Sequence, residues 1–173
     1  MPKDKKKSTK KKPAPAPLPP VRKSAVVPYR FKNDVLQFLL ITPKTKDTKS
    51  TKASLWIIPK GTIKADIRPA ESARIEALEE AGVLGELHPR IKGFYCFEPK
   101  NGAIQEIFTY FMKVSYTMKN WEEKNQRKRM WVALENIRDY IDEPELAEII
   151  EGNENRLRRN LLWERARKMI FPG

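Results

Sequence analysis

The sequence predicts an α/β domain in which a mixed β-sheet is covered by helices. Three observations carry this. Short β-branched and apolar runs are interspersed with single helical segments without strict alternation, the pattern of a mixed sheet rather than a purely parallel one. One helix is bounded at both ends by its own chemistry, with Pro69 at the first helical position and Gly82 just past the last. The 173 residues, 40% of them hydrophobic, suffice for one core and are too few for two comfortable ones.

The elements follow in order along the chain. Ser24 to Tyr29 and Val35 to Ile41 read as two strands joined by the polar turn Lys32-Asn33-Asp34. Pro43 to Lys52 reads as a polar loop, Leu55 to Ile58 as a short strand stopped by Pro59, and Gly61 to Arg68, which has no steady period, as loop. Pro69 to Ala81 is rich in Ala, Glu and Leu and is the helix bounded above. Strands are expected at Ile91 to Phe97 and Glu106 to Tyr116, with Asn101-Gly102 marking a turn between them, and at Lys128 to Ala133. Leu134 to Ile141, Pro144 to Ile150 and Arg156 to Ile170 read as helices. The last carries Leu157, Leu161, Leu162, Ala166, Met169 and Ile170 near helical spacing, among Arg156, Arg158, Arg159, Arg165, Arg167 and Lys168. That pattern predicts a helix packed on the domain with a wet basic side.

The net charge of +13 is unevenly spread, because residues 1 to 24 carry nine Lys or Arg against Asp4 alone. Lys clusters followed by alternating Pro and Ala up to Pro20 bury too little apolar surface to offset ordering entropy, so residues 1–22 are expected to form a disordered basic tail and 23–173 the folded domain. No apolar run follows the Lys clusters and none reaches eighteen residues, which predicts neither a secretory signal nor a transmembrane segment. Cys96 is the only cysteine, which excludes an intrachain disulfide and a thiolate metal cluster and fits a reducing, cytoplasmic setting.

Chemistry concentrates on the Pro69 to Ala81 helix. Glu76, Glu79 and Glu80 are related as i, i+3 and i+4, which places three carboxylates on one helix face. Like charges so spaced cost roughly 0.2 to 0.5 kcal/mol per pair. A hard divalent cation, magnesium or manganese, would compensate them through oxygen ligands. A solvated acidic face has the same appearance, and the helix alone does not separate the two.

Outward from the helix, Gly61, Glu76, Glu79, Glu80, Gly82 and Val83 stand at the spacing of the Nudix box, G-x5-E-x7-R-E-U-x-E-E-x-G-U with U apolar, and Ala77 is a small apolar residue at a seventh position. Over Gly61 to Val83 the chain therefore resembles the Nudix hydrolases. The resemblance implies an α/β/α sandwich with a loop-helix-loop catalytic motif. Two positions depart: Ile67 stands where the family has its first Glu, and Ile75 where it has Arg. That pair resembles a structural ion pair holding the loop against the helix. Replacing both members by apolar groups can be neutral where losing one would strand a charge. Arg74, about 100° away around the helix, cannot take the Arg role, so Ile67 and Ile75 are expected to touch.

More of the chain, from Lys23 to Tyr140, resembles one branch of the family. Trp56-Ile57-Ile58-Pro59-Lys60-Gly61 is similar to the W-x-x-P-K-G segment of diphosphoinositol polyphosphate phosphohydrolases, Lys23 and Arg30 to their basic pair, and Trp121-Glu122 with Arg127-Lys128-Arg129-Met130-Trp131 to their W-E … R-K-R-x-W segment. The resemblance implies that Glu76 and Glu80 bind magnesium or manganese with the carbonyl of Gly61, and that Glu79 binds a second ion or takes a proton from water. A small polyphosphorylated substrate, a diphosphoinositol polyphosphate or dinucleoside polyphosphate, would then be cut at a phosphoanhydride bond. Lys60, Lys23, Arg30, Arg127, Lys128 and Arg129 are the candidate phosphate contacts, since a polyphosphate needs several cations in one cleft.

Glu98 and Glu106 are further candidate bases, with an edge-residue role the simpler reading of Glu106. His88 has no nucleophile in a recognisable arrangement. Trp56, Trp121, Trp131 and Trp163 read as core or cleft-wall residues, although Trp56 could stack a base. Two other functions stay open: processing of RNA 5′ ends, which would use the Lys-rich tail to hold RNA, and a binding module whose degenerate box recognises a nucleotide or RNA without cutting it. The tail could equally hold an acidic partner or none.

Overall fold

A computed structural model describes residues 18–44, 56–99 and 103–171. The strands are β1 (Val21–Lys32), β2 (Val35–Ile41), β3 (Lys60–Thr62), β4 (Val83–Leu87), β5 (Gly93–Phe97), β6 (Gln105–Thr117) and β7 (Arg129–Ala133). They form one seven-stranded sheet with the path β4-β6-β1-β2-β7, to which β3 is added beside β1 and β5 beside β6. β1 and β6 run parallel and the other pairs antiparallel, so the sheet is mixed, as the sequence predicts. Helix α1 (Pro69–Ala81), a 3₁₀ helix (Leu134–Asp139), α2 (Pro144–Gly152) and α3 (Glu154–Ile170) complete the chain.

Successive side chains of a strand point to opposite faces, and β1 uses both. Val26 joins Leu39, Ile41, Tyr110 and Met112 under α1, whereas Ala25, Val27 and Tyr29 join Phe38, Phe111, Ile137, Leu146, Ile150 and Leu157 on the other face. The unbroken apolar run of β1 is thus the signature of a central strand buried on both sides. Pro28 is tolerated within it for a topological reason. The Val26 N–H donates to the Pro59 carbonyl, so Pro28, two residues on, directs its missing donor to the same side. There β3 has ended opposite Ala25, and β2 first pairs opposite Tyr29.

The β1–β2 turn forms as expected, with Asn33 and Asp34 at φ 51° and 64°, the left-handed conformation a tight hairpin requires. The strand expected at Leu55 to Ile58 is displaced. Ile57 makes one bridge to Ile41, and the strand itself lies at Lys60–Thr62, where loop was expected. Three residues are too few to show an alternating pattern, and only the free edge of β1 makes them a strand. β4 has no counterpart in the sequence reading, where Gly82 serves only to end the preceding helix. At Gly85 a Cβ would lie 2.0 Å from the Lys113 carbonyl oxygen, so glycine here allows close strand approach across a register shift. The first C-terminal helix is 3₁₀ rather than α.

The sheet takes in Val21 and Arg22, the last two residues assigned to the tail, while residues 1–17, most of the Pro43 to Lys52 loop and the Asn101-Gly102 turn lie outside the described residues. α3 departs most from expectation: Leu157 is buried, but Leu162, Met169 and Ile170 are exposed. Beyond Leu157 the described polar contacts of the helix with the sheet are Lys113 with Glu164 and Arg165 with Asp34.

Gly82 ends α1 at φ 60°, and its N–H donates to the Leu78 carbonyl. A Cβ there would lie 2.6 Å from the Trp121 side chain. Left-handed geometry alone costs an L-residue about 1 to 2 kcal/mol. Gly82→Ala is therefore expected to destabilise the fold by about 2 kcal/mol or more, read as a lower urea midpoint at unchanged slope.

Candidate active site

α1 approaches the sheet closely because the face it turns inward is made of Ala73, Ala77 and Ala81, all fully buried. The next face, with Glu76 and Glu80, then comes down beside β3 at the edge of β1. The Lys60 N–H donates to Glu80 Oε2 at 3.0 Å. Glu76 lies over the Cα of Gly61, where an added Cβ would fall 1.7 Å from Oε1. Gly61 is therefore a space requirement of the carboxylate above it. Ser24 Oγ donates to the Pro69 carbonyl at 2.5 Å and fixes the start of the helix against β1.

Glu80 is buried at 7% exposure, and its other oxygen meets the Arg127 guanidinium. Arg127 also donates through Nε to Glu123 Oε2 at 2.5 Å and through Nη1 to the Thr42 carbonyl at 2.9 Å, and Lys44 closes on Glu123 from outside. The result is a chain of alternating charge, Glu80, Arg127, Glu123 and Lys44, with its inner members buried. Burial would raise Glu123, but hydrogen bonds from Arg127 and Lys44 hold its carboxyl below the usual range. For Glu80 burial wins over Arg127 and the Lys60 N–H and pushes the carboxyl up to about 7, and burial with the charge of Glu79 also raises Glu76. Lys23 stands near enough to Lys60, Glu76 and Glu80 to feel their charges, and burial together with Lys60 lowers it.

The structure thus gathers Gly61, Glu76, Glu79, Glu80, Lys60, Lys23 and Arg127. Lys60 Nζ lies 3.3 Å from Glu143 Oε1 and 5.7 Å from the centre of the Phe97 ring. Glu79 is half-buried, and its carbonyl accepts the Glu123 N–H. Lys128 is exposed nearby, its N–H on Thr42 Oγ1. Arg129 is engaged elsewhere: it donates to the carbonyls of Ala81, Gly82 and Met118 and stacks on Trp121, capping the C-terminus of α1. Arg30 is seven residues along β1 from Lys23, roughly 23 Å at strand spacing, bonded to Gln37 and lying over Trp131. Glu98 is exposed, and Glu106 is a half-buried β6 residue opposite Arg22 and Cys96. Ile67 and Ile75 are both half-buried, and neither is among the residues packed on the two cores. Sequence reading missed Glu123 and Glu143. Glu123 stands four residues before Arg127, an ion-pair spacing that could have drawn attention to it.

Chemically the site offers carboxylate oxygens, which suit a hard cation, and the Glu76 carboxylate fits over Gly61 because that residue has no Cβ. Among the described residues no three acidic, His or Cys side chains close on one point, and one oxygen of Glu80 is engaged by Arg127. A cation using Glu80 must displace that guanidinium.

The chain is similar to known proteins over most of its length. A family profile described as the NUDIX domain matches residues 20–152. Nudix hydrolase 4 of Arabidopsis thaliana is 29% identical over 134 residues, covering 73% of this chain and 61% of its own length. Nudix hydrolase 17, mitochondrial, of the same plant is 30% identical over 120 residues, covering 65% and 62%. The chain thus spans about three-fifths of the length of these curated relatives. Among solved structures, a Caenorhabditis elegans Ap4A hydrolase binary complex superposes with TM-score 0.63 at 18% identity, over 79% of this chain and 97% of that one. The NUDIX domain of Shewanella oneidensis NrtR, complexed with ADP ribose, superposes with TM-score 0.60 at 14% identity, over 79% and 89%. At these identities the likeness establishes the fold.

Two outcomes follow. In the folded, metal-free protein Glu80 keeps a proton to about pH 7 that the unfolded chain releases near 4.5. Stability therefore falls as pH rises through that window, by on the order of 3 kcal/mol. Urea midpoints in chelator at pH 5, 6, 7 and 8 should show the decline, and Glu80→Gln should remove most of it. Gly61→Ala should drive Glu76 aside, seen as a displaced Glu76 side chain in a crystal structure of the variant, while the thermal midpoint moves little because the obstructed group is the end of a flexible side chain.

Proposed function

Since the chain belongs to the NUDIX family, we propose that it is a metal-dependent pyrophosphohydrolase acting on a small polyphosphorylated molecule. The observation that carries the reading is the buried Glu80 carboxylate beside Glu76 and Gly61, with Lys60 and Lys23 on the open side. Glu76, Glu80 and the Gly61 carbonyl are the groups that would hold magnesium or manganese. Bound there, the ion supplies positive charge for phosphate oxygens and acidifies a water molecule.

The remaining work falls to the chain itself. Glu79, half-buried beside Glu76, accepts the proton of the attacking water. Lys60 and Lys23 hold the phosphates, Lys60 exchanging its contact with Glu143 for the substrate. With a cation on Glu80, Arg127 would remain tethered through Glu123 and Thr42, which would keep it at hand for a phosphate oxygen. Ile67 and Ile75 replace an ion pair by an apolar contact that holds the loop before α1. The W-x-x-P-K-G segment supports a diphosphoinositol polyphosphate as substrate. The Ap4A hydrolase of the same fold supports a dinucleoside polyphosphate. The single cysteine supports a reducing, cytoplasmic setting.

The test is a screen of inositol pyrophosphates, dinucleoside polyphosphates and nucleoside di- and triphosphates with the full chain. Release of phosphate or nucleotide is expected only with magnesium or manganese. Glu76→Gln and Glu80→Gln should each lower kcat by about 100-fold or more, since each removes a charge from the transition state. No turnover of any compound, or turnover unaffected by the two substitutions, would overturn the reading.

A further inference from the structure

On the opposite side of the sheet from α1, the loop between β4 and β5 and the face of α3 enclose a cleft of about 440 Å³ lined by His88, Arg90, Ile91, Lys92, Arg156, Arg159, Asn160 and Trp163. Its placement is fixed by the core: Leu157 is buried on that face, and Asn153 Nδ2 reaches the Lys92 carbonyl at 3.4 Å. Arg156, Arg159, Asn160 and Trp163 are related as i, i+3, i+4 and i+7, so all four look out from one side of the helix.

The charge of this cleft is uncompensated. The acids of α2 and α3 that form ion pairs do so with other bases, Glu151 with Arg138, Glu154 with Arg158 and Glu164 with Lys113. Among the described residues none of Arg90, Lys92, Arg156 and Arg159 makes an ion pair, and no acid lines the cleft. The cations act on one another: burial, then the charges of Arg156 and Arg90, lower Lys92, and burial with Lys92, Arg156 and Arg90 lowers His88. Beside this charge stands Trp163, 76% exposed, with Ile91 at 48%. Among the described residues no hydrogen bond or aromatic pair engages that indole.

Several fixed cations facing one groove require several anionic groups at phosphate spacing, and an indole at the rim offers a flat apolar surface to a planar ring. Inorganic polyphosphate would meet the first requirement and leave the second unused. A phosphodiester chain with unpaired bases meets both, which is the general pattern of single-strand binding. We propose that this cleft binds single-stranded RNA, its phosphates on Arg90, Lys92, Arg156 and Arg159 and a base stacked on Trp163. The proposal does not depend on the hydrolytic reading, because the cleft shares no residue with the carboxylate site.

The test measures binding of a fluorescent single-stranded 12-mer RNA to the full chain over a series of salt concentrations. Basic residues outside the cleft contribute equally to every variant, so differences between variants report on the cleft. Arg156→Glu with Arg159→Glu should weaken binding about 10-fold or more and make the salt dependence shallower by about 1.4 in log–log slope, the value for two lost single-strand phosphate contacts. Trp163→Ala should weaken binding about 5-fold or more without changing that slope. All three substituted side chains are exposed, so thermal midpoints should hold. Wild-type affinity in the Arg double variant, or in Trp163→Ala, overturns the proposal. So does tripolyphosphate that competes as tightly as the RNA, per phosphate, in both wild type and Trp163→Ala, since that marks a simple polyphosphate site.

Discussion

The site depends on one buried carboxylate. Glu80 has left water, and an unpaired charge so placed costs several kcal/mol, so every segment around it is arranged to supply a partner. The Lys60 N–H comes from β3, the Arg127 guanidinium from the segment before β7, and Arg127 in turn takes Thr42 at the end of β2. The Trp121 indole N–H reaches the Glu80 carbonyl at 3.2 Å. Two stretches remote from α1, at Lys60 and at Trp121 to Arg127, thus meet at one residue of the helix, and Thr42 joins them through Arg127. The electrostatic demand that makes Glu80 suited to a cation is also what draws the loops together.

That arrangement requires close approach, which the small residues provide. Ala73, Ala77 and Ala81 let α1 lie low on β1, β4 and β6, Gly61 admits the Glu76 carboxylate, and Gly82 turns the chain beneath Trp121. Side-chain volume at Ala73, Ala77 or Ala81 would lift the helix and separate Glu80 from Lys60. The packing is therefore part of the chemistry: polar groups converge only as far as the apolar face beneath them allows.

The basic residues show where sequence reading reaches its limit. Lys23, Lys60, Arg30, Arg127, Lys128 and Arg129 are alike as text, yet the fold separates them by task. Lys23 and Lys60 stay beside the carboxylates, Arg127 neutralises Glu80, Arg129 caps the α1 carbonyls and Arg30 binds Gln37 across the hairpin. A guanidinium serves any of these roles equally well, so only its neighbours in space assign one. The same holds for α3. Its apolar positions suggest packing, but beyond Leu157 the helix leaves Leu162, Trp163, Met169 and Ile170 in solvent.

What the sequence determined by itself is whatever depends on local chemistry. Proline and glycine bound α1, the Asn33-Asp34 turn closes β1 on β2, the apolar runs give β1, β2, β6 and β7, and the spacing of Glu76, Glu79 and Glu80 with Gly61 identifies the family. The tertiary structure alone decided β3 and β4, the pairing of Glu80 with Arg127 and Glu123, and the cationic cleft between α3 and the loop after β4. Each of these is created by an edge, a burial or a proximity that joins residues remote in the chain, and no local pattern records which distant groups the fold will bring within reach.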